Sequence, residues 1–328
     1  MKVLSLQEAE TLTAAALRRC RTSEANAALV ANALVTAEAE GLISHGLLRL
    51  PIYAEQTRNG KIDGHAVPEV SFPRPAVGAL DAKNGFAYPA LNLATQFLPR
   101  IARENGIAAA GITRSHHCGV AGHHVRRLAE SGMVAMLFAN APAAMAPWGG
   151  NRAVFGTDPI AFACPQPGRD AIVVDMSLSK VARGNILSAK RKGDRIPEGW
   201  ALDSEGRPTT DPDAAMAGTM VPLGDAKGTA LALMVELLAA GLTGANYASQ
   251  ASSFLDAEGP PPGTGQLLLA IDSRAFGASA AHLVKIAEDI ETQPGARLPG
   301  TRRAAALKQA EREGLLVSDA LFAEIQSL

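Results

Sequence analysis

Aromatic side chains are scarce: Phe, Tyr and Trp make up 4% of the 328 residues, so a core must be built from Ala, Leu, Val and Ile. Cysteine is scarce as well. Cys20, Cys118 and Cys164 are widely spaced, with no C-x-x-C among them, which argues against a disulfide framework and for a reducing compartment. No uninterrupted apolar run reaches the ~18 residues of a membrane span. A Lys/Arg block is also missing, and the formal net charge is −1, which argues against a nucleic-acid or membrane surface. The first residues, MKVLSLQEAETL, place Glu8 and Glu10 where a secretory signal needs an apolar stretch. Nothing repeats at solenoid periods. These absences leave the expectation of a cytoplasmic protein of about two domains.

One further absence bears on chemistry. No G-x-G-x-x-G follows an apparent strand, and there is no Walker loop. The segment GTGQLL begins with Gly263 and Gly265 but lacks the third glycine. A dinucleotide enzyme of this sequence would need another cradle.

What is present reads as α/β. Residues 5–41 predict two amphipathic helices, the first opened by a Ser5/Glu8 capping box, the second capped by Ser23 and stopped at Gly41. VGALDA, from Val77, predicts a strand, Lys83–Gly85 a turn, and Pro89–Asn105 a helix closed by Gly106. Strands are expected at 107–112, 133–140, 171–177 and 267–273, with a helix running to Gly132 between the first two. The section 146–165 reads as loop-rich. A polar excursion follows residue 180, and 223–245 reads as a glycine-rich turn feeding an almost wholly apolar, hence buried, helix. Helices at 278–292 and 301–313 are expected to finish the chain.

Chemistry concentrates in GLISHGLLRLPIY, residues 41–53. A helix starting near His45 would be capped by Ser44 and would bring His45 and Arg49 to one face. Histidine can pass a proton near neutrality, serine can orient the ring, and arginine can clamp a carboxylate. The alternative is a helix start whose polar residues face water. A second concentration, RSHHCGVAGHH, holds His116, His117, His123 and His124. It reads as a metal site, as a Cys118–His117 nucleophile pair, as a loop with surface histidines, or as a glycine-bearing helix entry that binds a pyrophosphate.

SHGLLRL followed by a tyrosine resembles the signature of the malate/L-lactate dehydrogenase type 2 family of NAD(P)-dependent oxidoreductases. Further segments extend the resemblance over almost the whole chain: SHHCG, GTDP, VVDMS, the Lys-Gly segment after LGDA, and LPGTRRAAA. It implies a non-Rossmann cofactor domain, 76–274, with a large mixed, mostly antiparallel sheet. A mainly helical domain would come from 1–75 and 275–328 and carry Ser44, His45 and Arg49. It implies a catalytic set of Ser44, His45 and Asn185, with Arg49 and Thr157 on substrate. His117, Cys118, Gly119, Val120 and Ala121 would bind cofactor, as would Asp175, Met176, Ser177, Ala226 and Lys227. Pro299, Gly300, Thr301, Arg302, Arg303, Ala304 and Ala305 would complete that set, and no metal is implied.

In the cyclic-imine reductases of this family an aspartate stands where Asn185 falls. Asparagine can orient a neighbour but cannot take a proton; Asp158 or Asp194 could stand in for it. Cys118 replaces an aromatic. Lys180, Arg183, Lys227, Arg302 and Arg303 are candidate partners of a 2′-phosphate, so NADP(H) is expected ahead of NAD(H). The resemblance implies a homodimer acting on a small molecule, first a Δ1-pyrroline- or Δ1-piperideine-2-carboxylate. A 2-hydroxy acid (malate, lactate or ureidoglycolate) is the alternative, and a catalytically silent binding relative or a zinc hydrolase using the histidine elbow are further ones.

Overall fold

The computed structural model describes residues 1–277 and 279–328; the first residue of the helix expected at 278–292 lies outside them. The two ends of the chain meet. Strand β1 (Lys2–Leu4) leads into α1 (Leu6–Arg19), whose Ser5 and Glu8 form the expected capping box, and α2 (Glu24–Ala39) starts at N-cap Ser23. Then comes α3 (Leu50–Arg58).

The next strands, β2 (Glu69–Arg74) and β3 (Val77–Asp81), precede α4 (Ala87–Asn105), which Gly106 closes at φ +83°. Strand β4 (Ile107–Ser115) runs through the histidine elbow into α5 (Ala121–Glu130), and β5 (Val134–Ala139) follows. The section expected to be loop ends in a strand, β6 (Ile160–Gln166), paired with β5 and with β7 (Arg169–Met176). The polar excursion is structured: α6 (Arg183–Lys192), β8 (Ala201–Leu202), β9 (Pro208–Thr209), α7 (Pro212–Ala217) and β10 (Thr219–Met220) form a small unit with its own three-stranded sheet.

Helix α8 (Ala226–Glu236) passes into a π-helical turn, Leu237–Gly241, and β11 (Thr264–Ile271) follows. After α9 (Ala280–Glu291) and α10 (Thr301–Glu313) the chain does not stop as expected. It adds β12 (Leu315–Val317), antiparallel to β1, and α11 (Asp319–Ser327).

The main sheet has seven strands in the order β2-β3-β4-β11-β5-β6-β7, every pair antiparallel except β3–β4. It is a mixed, mostly antiparallel sheet without Rossmann topology. Strand β11 lies between β4 and β5, with Leu268 opposite both Ala110 and Leu137, so the centre of the sheet is closed by a late segment. Helices α4 and α5 cover one face through Leu91, Leu98, Val125 and Leu128. The α8–π segment meets the other through Val235 and Ala239.

A third cluster joins the chain ends: Leu17, Val30, Leu34, Leu47, Leu50 and Tyr53 pack with Leu315, Val317, Leu321 and Ile325. Helix α2 is not amphipathic as expected. Asn26, Val30, Ala31, Leu34, Val35 and Ala39 are buried around most of it, because α1, α4 and α10 all pack against it.

Candidate functional site

The segment after α2 does not form a helix at His45. It makes two 3-10 turns, Ile43–His45 and Leu47–Arg49, and the α-helix waits until Leu50, with Pro51 in its first turn. Gly46 causes the break. It passes so close to α2 that a Cβ there would sit 2.1 Å from Glu38 Oε2, and the next amide, Leu47 N–H, donates to that carboxylate at 2.9 Å. Ser44 is therefore not an N-cap. Its hydroxyl instead lies 3.1 Å from His45 Nδ1. Arg49 Nε donates to the Ser44 carbonyl at 2.8 Å, which folds the guanidinium back beside His45; its Nη1 is enclosed without a partner. Burial lowers the His45 pKa to about 4, and the Arg49 charge works in the same direction.

Facing this turn is the β4–α5 elbow. A bulge in β11 holds its backbone: Thr264 Oγ1 donates to the carbonyls of Ser115 and His116 at 3.3 Å, and Gln266 Nε2 to His116 at 3.1 Å. The four histidines diverge. His116 is buried with neither ring nitrogen partnered, in contact with Phe254 at 4.8 Å between centroids. His117 Nδ1 lies 2.8 Å from Tyr53 Oη, and its ring is 5.3 Å from that of His45. His123 Nε2 meets Glu40 at 3.0 Å, and His124 Nε2 donates to the Cys118 carbonyl at 2.9 Å.

This geometry corrects two of the readings of the elbow. His116, His123 and His124 are interior rather than surface residues. Burial pushes the Cys118 thiol up to about 12, which leaves no thiolate for nucleophilic attack. Among the described residues no three His, Cys, Asp or Glu side chains gather as metal ligands.

The other implied residues lie on the elements that follow. Gly119, at φ +70°, turns the elbow into α5, where Val120 and Ala121 open a helix with no side-chain cap. Asp175, next to the end of β7, accepts from Arg303 Nη1 at 2.8 Å and lies against Gly122. Met176 and Ser177 continue from it, Met176 exposed and Ser177 Oγ 3.3 Å from Ser179 Oγ. Pro299 to Ala305 runs through Gly300, the N-cap of α10, which lies over Val173 and likewise has no side-chain cap. Arg302 is exposed and Arg303 half-buried.

Between α5 and α10 lies a cavity of about 800 Å³ reached past Gly122, Gly300 and Arg303. Gly300 at the uncapped N-terminus of α10, together with Arg126, Arg169, Arg303 and Lys308, gives this cavity a lining suited to the phosphates of a dinucleotide; Ser44, His45, Arg49 and His117 do not line it. Ala226 and Lys227 are exposed in the first turn of α8.

Thr157 is half-buried, its carbonyl accepting from Leu178 N–H at 2.8 Å. Neither candidate stand-in for a relay carboxylate reaches Ser44 or His45. Asp158 is fully enclosed beside Glu236, and burial raises both carboxyl pKa values; Asp194 lies past the C-terminal end of α6. Asn185, in the first turn of α6, is exposed and its side chain makes no hydrogen bond to Ser44 or His45. Its neighbour Gly184 does approach, a Cβ there standing 3.4 Å from Ser44 Cβ.

Sequence reasoning missed Tyr53, Tyr88 and Phe254 as parts of this cleft. Tyr53 carried a signal, since it stands four residues after Arg49, as Arg49 stands four after His45. Tyr88 and Phe254 carried none.

The family model described as malate/L-lactate dehydrogenase matches residues 4–326. A (2R)-3-sulfolactate dehydrogenase (NADP(+)) of Chromohalobacter salexigens is 51% identical over 99% of this chain and 98% of its own. A Δ1-pyrroline-2-carboxylate/Δ1-piperideine-2-carboxylate reductase of Pseudomonas putida is 39% identical over 95% and 92%. The crystal structure of Δ1-piperideine-2-carboxylate reductase from Pseudomonas syringae pvar. tomato superimposes with a TM-score of 0.95 at 34% identity, covering 100% of this chain and 99% of that one.

Proposed function

The chain belongs to the malate/L-lactate dehydrogenase family and is thereby an NAD(P)-dependent oxidoreductase, and from that premise we propose that it interconverts a small 2-oxo acid carrying a second anionic group with its 2-hydroxy acid, using NADP(H). The supporting observation is the enclosed, unpartnered Nη1 of Arg49 beside His45, which lacks the carboxylate it is shaped to meet. A second cation favours a dianion. Arg183, half-buried with no ion pair among the described residues, precedes the Gly184 that touches Ser44. The 51% relative acts, by its name, on such a dianion, 3-sulfolactate.

Arg49 would bind the carboxylate and Thr157 would hold the substrate against it. In reduction, His45 delivers a proton to the carbonyl oxygen from Nε2, while Ser44 Oγ accepts from Nδ1 and fixes the ring. In oxidation the neutral ring takes the proton from the hydroxyl. The nicotinamide, when bound, supplies or accepts the hydride. Burial is the larger cause of the depressed His45 and the Arg49 charge the second, so an anion on Arg49 raises the ring part of the way toward its acidic form. Asn185 adds no negative charge, leaving this coupling to the substrate.

The cofactor would lie along His117, Cys118, Gly119, Val120 and Ala121, along Asp175, Met176, Ser177, Ala226 and Lys227, and along Pro299 to Ala305. Arg302 and Lys227, exposed and without an ion pair among the described residues, are the candidates in that set for a 2′-phosphate, and NAD(H) remains the weaker alternative. The helical chain ends and the sheet unit, whose first strand β2 already starts at Glu69, would form the two walls. Three free, buried thiols fit a cytoplasmic location. An exposed apolar face on α8 supports a homodimer.

Reduction of a cyclic imine carboxylate, to proline or pipecolate, is the second reading. Relatives at 36–39% identity bear that name. Such an imine, protonated on nitrogen, is a zwitterion and gives Arg183 nothing to bind.

Loss of NADPH absorbance with 3-sulfopyruvate, oxaloacetate, pyruvate and Δ1-piperideine-2-carboxylate side by side tests the choice. The dianions are expected to exceed the other two by at least tenfold in kcat/KM, about 1.4 kcal/mol. An equal preference for the imine would overturn the dianion reading and install the second.

A further inference from the structure

We propose that Tyr88 and Tyr53 hold His117 as its Nε2–H tautomer, making it a fixed, uncharged hydrogen-bond donor opposite His45 for a carbonyl or carboxylate oxygen in the cleft. The proposal rests on the reading of the Ser44–Arg49 turn and the elbow as the two walls of one site.

The hydroxyl of Tyr53 has two neighbours, His117 Nδ1 at 2.8 Å and Tyr88 Oη at 3.3 Å. Tyr53 has one proton to give, and giving it to one of these two neighbours leaves two orders; an order in which both neighbours donate to Tyr53 would strand the proton of Tyr53 itself. In the first, Tyr88 donates to Tyr53 and Tyr53 donates to Nδ1, which leaves the ring proton on Nε2. In the second, Nδ1–H donates to Tyr53 and Tyr53 donates to Tyr88, whose own proton then needs an acceptor.

No such acceptor exists among the described residues. Tyr88 is 4% exposed and makes no other hydrogen bond, and Gly119 lies so close to its hydroxyl that a Cβ there would come within 2.6 Å. The second order strands a buried donor; the first leaves only an oxygen lone pair unfilled. A stranded donor is the rarer and costlier defect. The first order therefore holds.

The ring is fixed in place as well as in tautomer. Phe254 packs against it at 5.3 Å between centroids. Gln56 Nε2 donates to the Phe254 and Asp256 carbonyls at 3.4 and 2.7 Å, and the buried Lys61 pairs with Asp256 at 2.8 Å. The His117 ring is half-buried, and its Nε2 has no protein partner, whereas both nitrogens of the adjacent His116 are sealed in. The His45 ring is 5.3 Å away and tilted by 31°, so the two imidazoles are adjacent. Burial and Arg49 keep His117 neutral, and burial keeps both tyrosines protonated, so the donor persists across the neutral pH range.

The oxygen it meets belongs either to the substrate or to the nicotinamide carboxamide. Tyr53 and Tyr88 are positioning residues; only His117 would touch the ligand. The test is the ¹⁵N spectrum of histidine-labelled protein together with the kinetics of Tyr53→Phe. The wild type is expected to show His117 in the Nε2–H form, and Tyr53→Phe to lose that single form.

Tyr53→Phe should also lower kcat/KM about tenfold, the worth of one hydrogen bond (about 1.4 kcal/mol). A raised Kd for NADPH alone would assign the acceptor to the carboxamide; a raised KM for the oxo acid at saturating NADPH would assign it to the substrate. An Nδ1–H tautomer in the wild-type spectrum, or unchanged Kd, KM and kcat in the variant, would overturn the proposal. The spectrum needs no folded variant. It is also independent of the site reading, which fails separately if His45→Ala retains full turnover.

Discussion

At the scale of the residue, the arrangement makes His45 depend on Arg49. His45→Ala is expected to lower kcat by about two to four decades, the usual worth of a general acid. Arg49→Ala should act chiefly on KM for the oxo acid. Because the free ring is lowered to about 4, first by burial and then by Arg49, an anion on Arg49 should lift it in part, and substrate-analogue binding at about pH 4.5 to 5 should take up a fraction of a proton. Calorimetry in buffers of different ionisation enthalpy reads this directly. Uptake in wild type that persists in Arg49→Ala would show that the coupling does not run through the guanidinium. The Ser44, His45 and Arg49 trio was legible because it lies within six residues. The bond between Tyr53 and His117 was not, since 64 residues separate them and neither local pattern names the other. Asp158 read as a candidate relay group because a sequence does not reveal that a carboxyl is walled in with another.

At the scale of the element, α8 is where the expectation went furthest astray. An apolar run reads as buried, yet Leu231, Leu233, Met234, Leu237 and Leu242 are 38–67% exposed. Hydrophobicity reports that a face seeks cover and does not say whether the same chain provides it. Leu233→Glu with Leu237→Glu is expected to halve the particle mass in sedimentation while leaving the far-ultraviolet dichroism intact. An unchanged mass would remove this face as the subunit contact. The 3-10 turns at Ser44 were hidden for a related reason: spacing allowed a helix, and only the approach of Gly46 to Glu38 forbade it. Strand β6 was lost behind the glycine and proline of GTDP, which read as loop although the strand starts immediately after them.

At the scale of the whole molecule, burial of neutral histidine dominates the acid side. His45, His116 and His124 are lowered to about 4, 3 and 3, and His117 well below its usual value, all mainly by burial. Each binds its proton more readily unfolded than folded, so each contribution is complete above about pH 6.5 and is lost as pH falls toward 4. The raised Asp158 and Glu236 carboxyls run the other way and offset roughly one to two of the four. The melting temperature is therefore expected to fall steadily from pH 6.5 to pH 4.5, with two to three protons taken up on unfolding. A flat profile over that range would mean the rings titrate as if exposed. The α/β class was legible from alternating strands and helices. The strand order was not, because β11 enters between β4 and β5 from more than a hundred residues downstream, and only the family resemblance anticipated a mostly antiparallel sheet.

The pairing of β1 with β12 reaches beyond stability. Tyr53 and Leu50, next to Arg49, share their cluster with Leu315, Val317 and Ile325. During vectorial synthesis on a ribosome, residues 44–53 emerge well ahead of residues 315–325 and lack that half of their support until the later segment has followed. The nascent chain must wait in a state without this cluster, so competence for turnover arrives late and all at once.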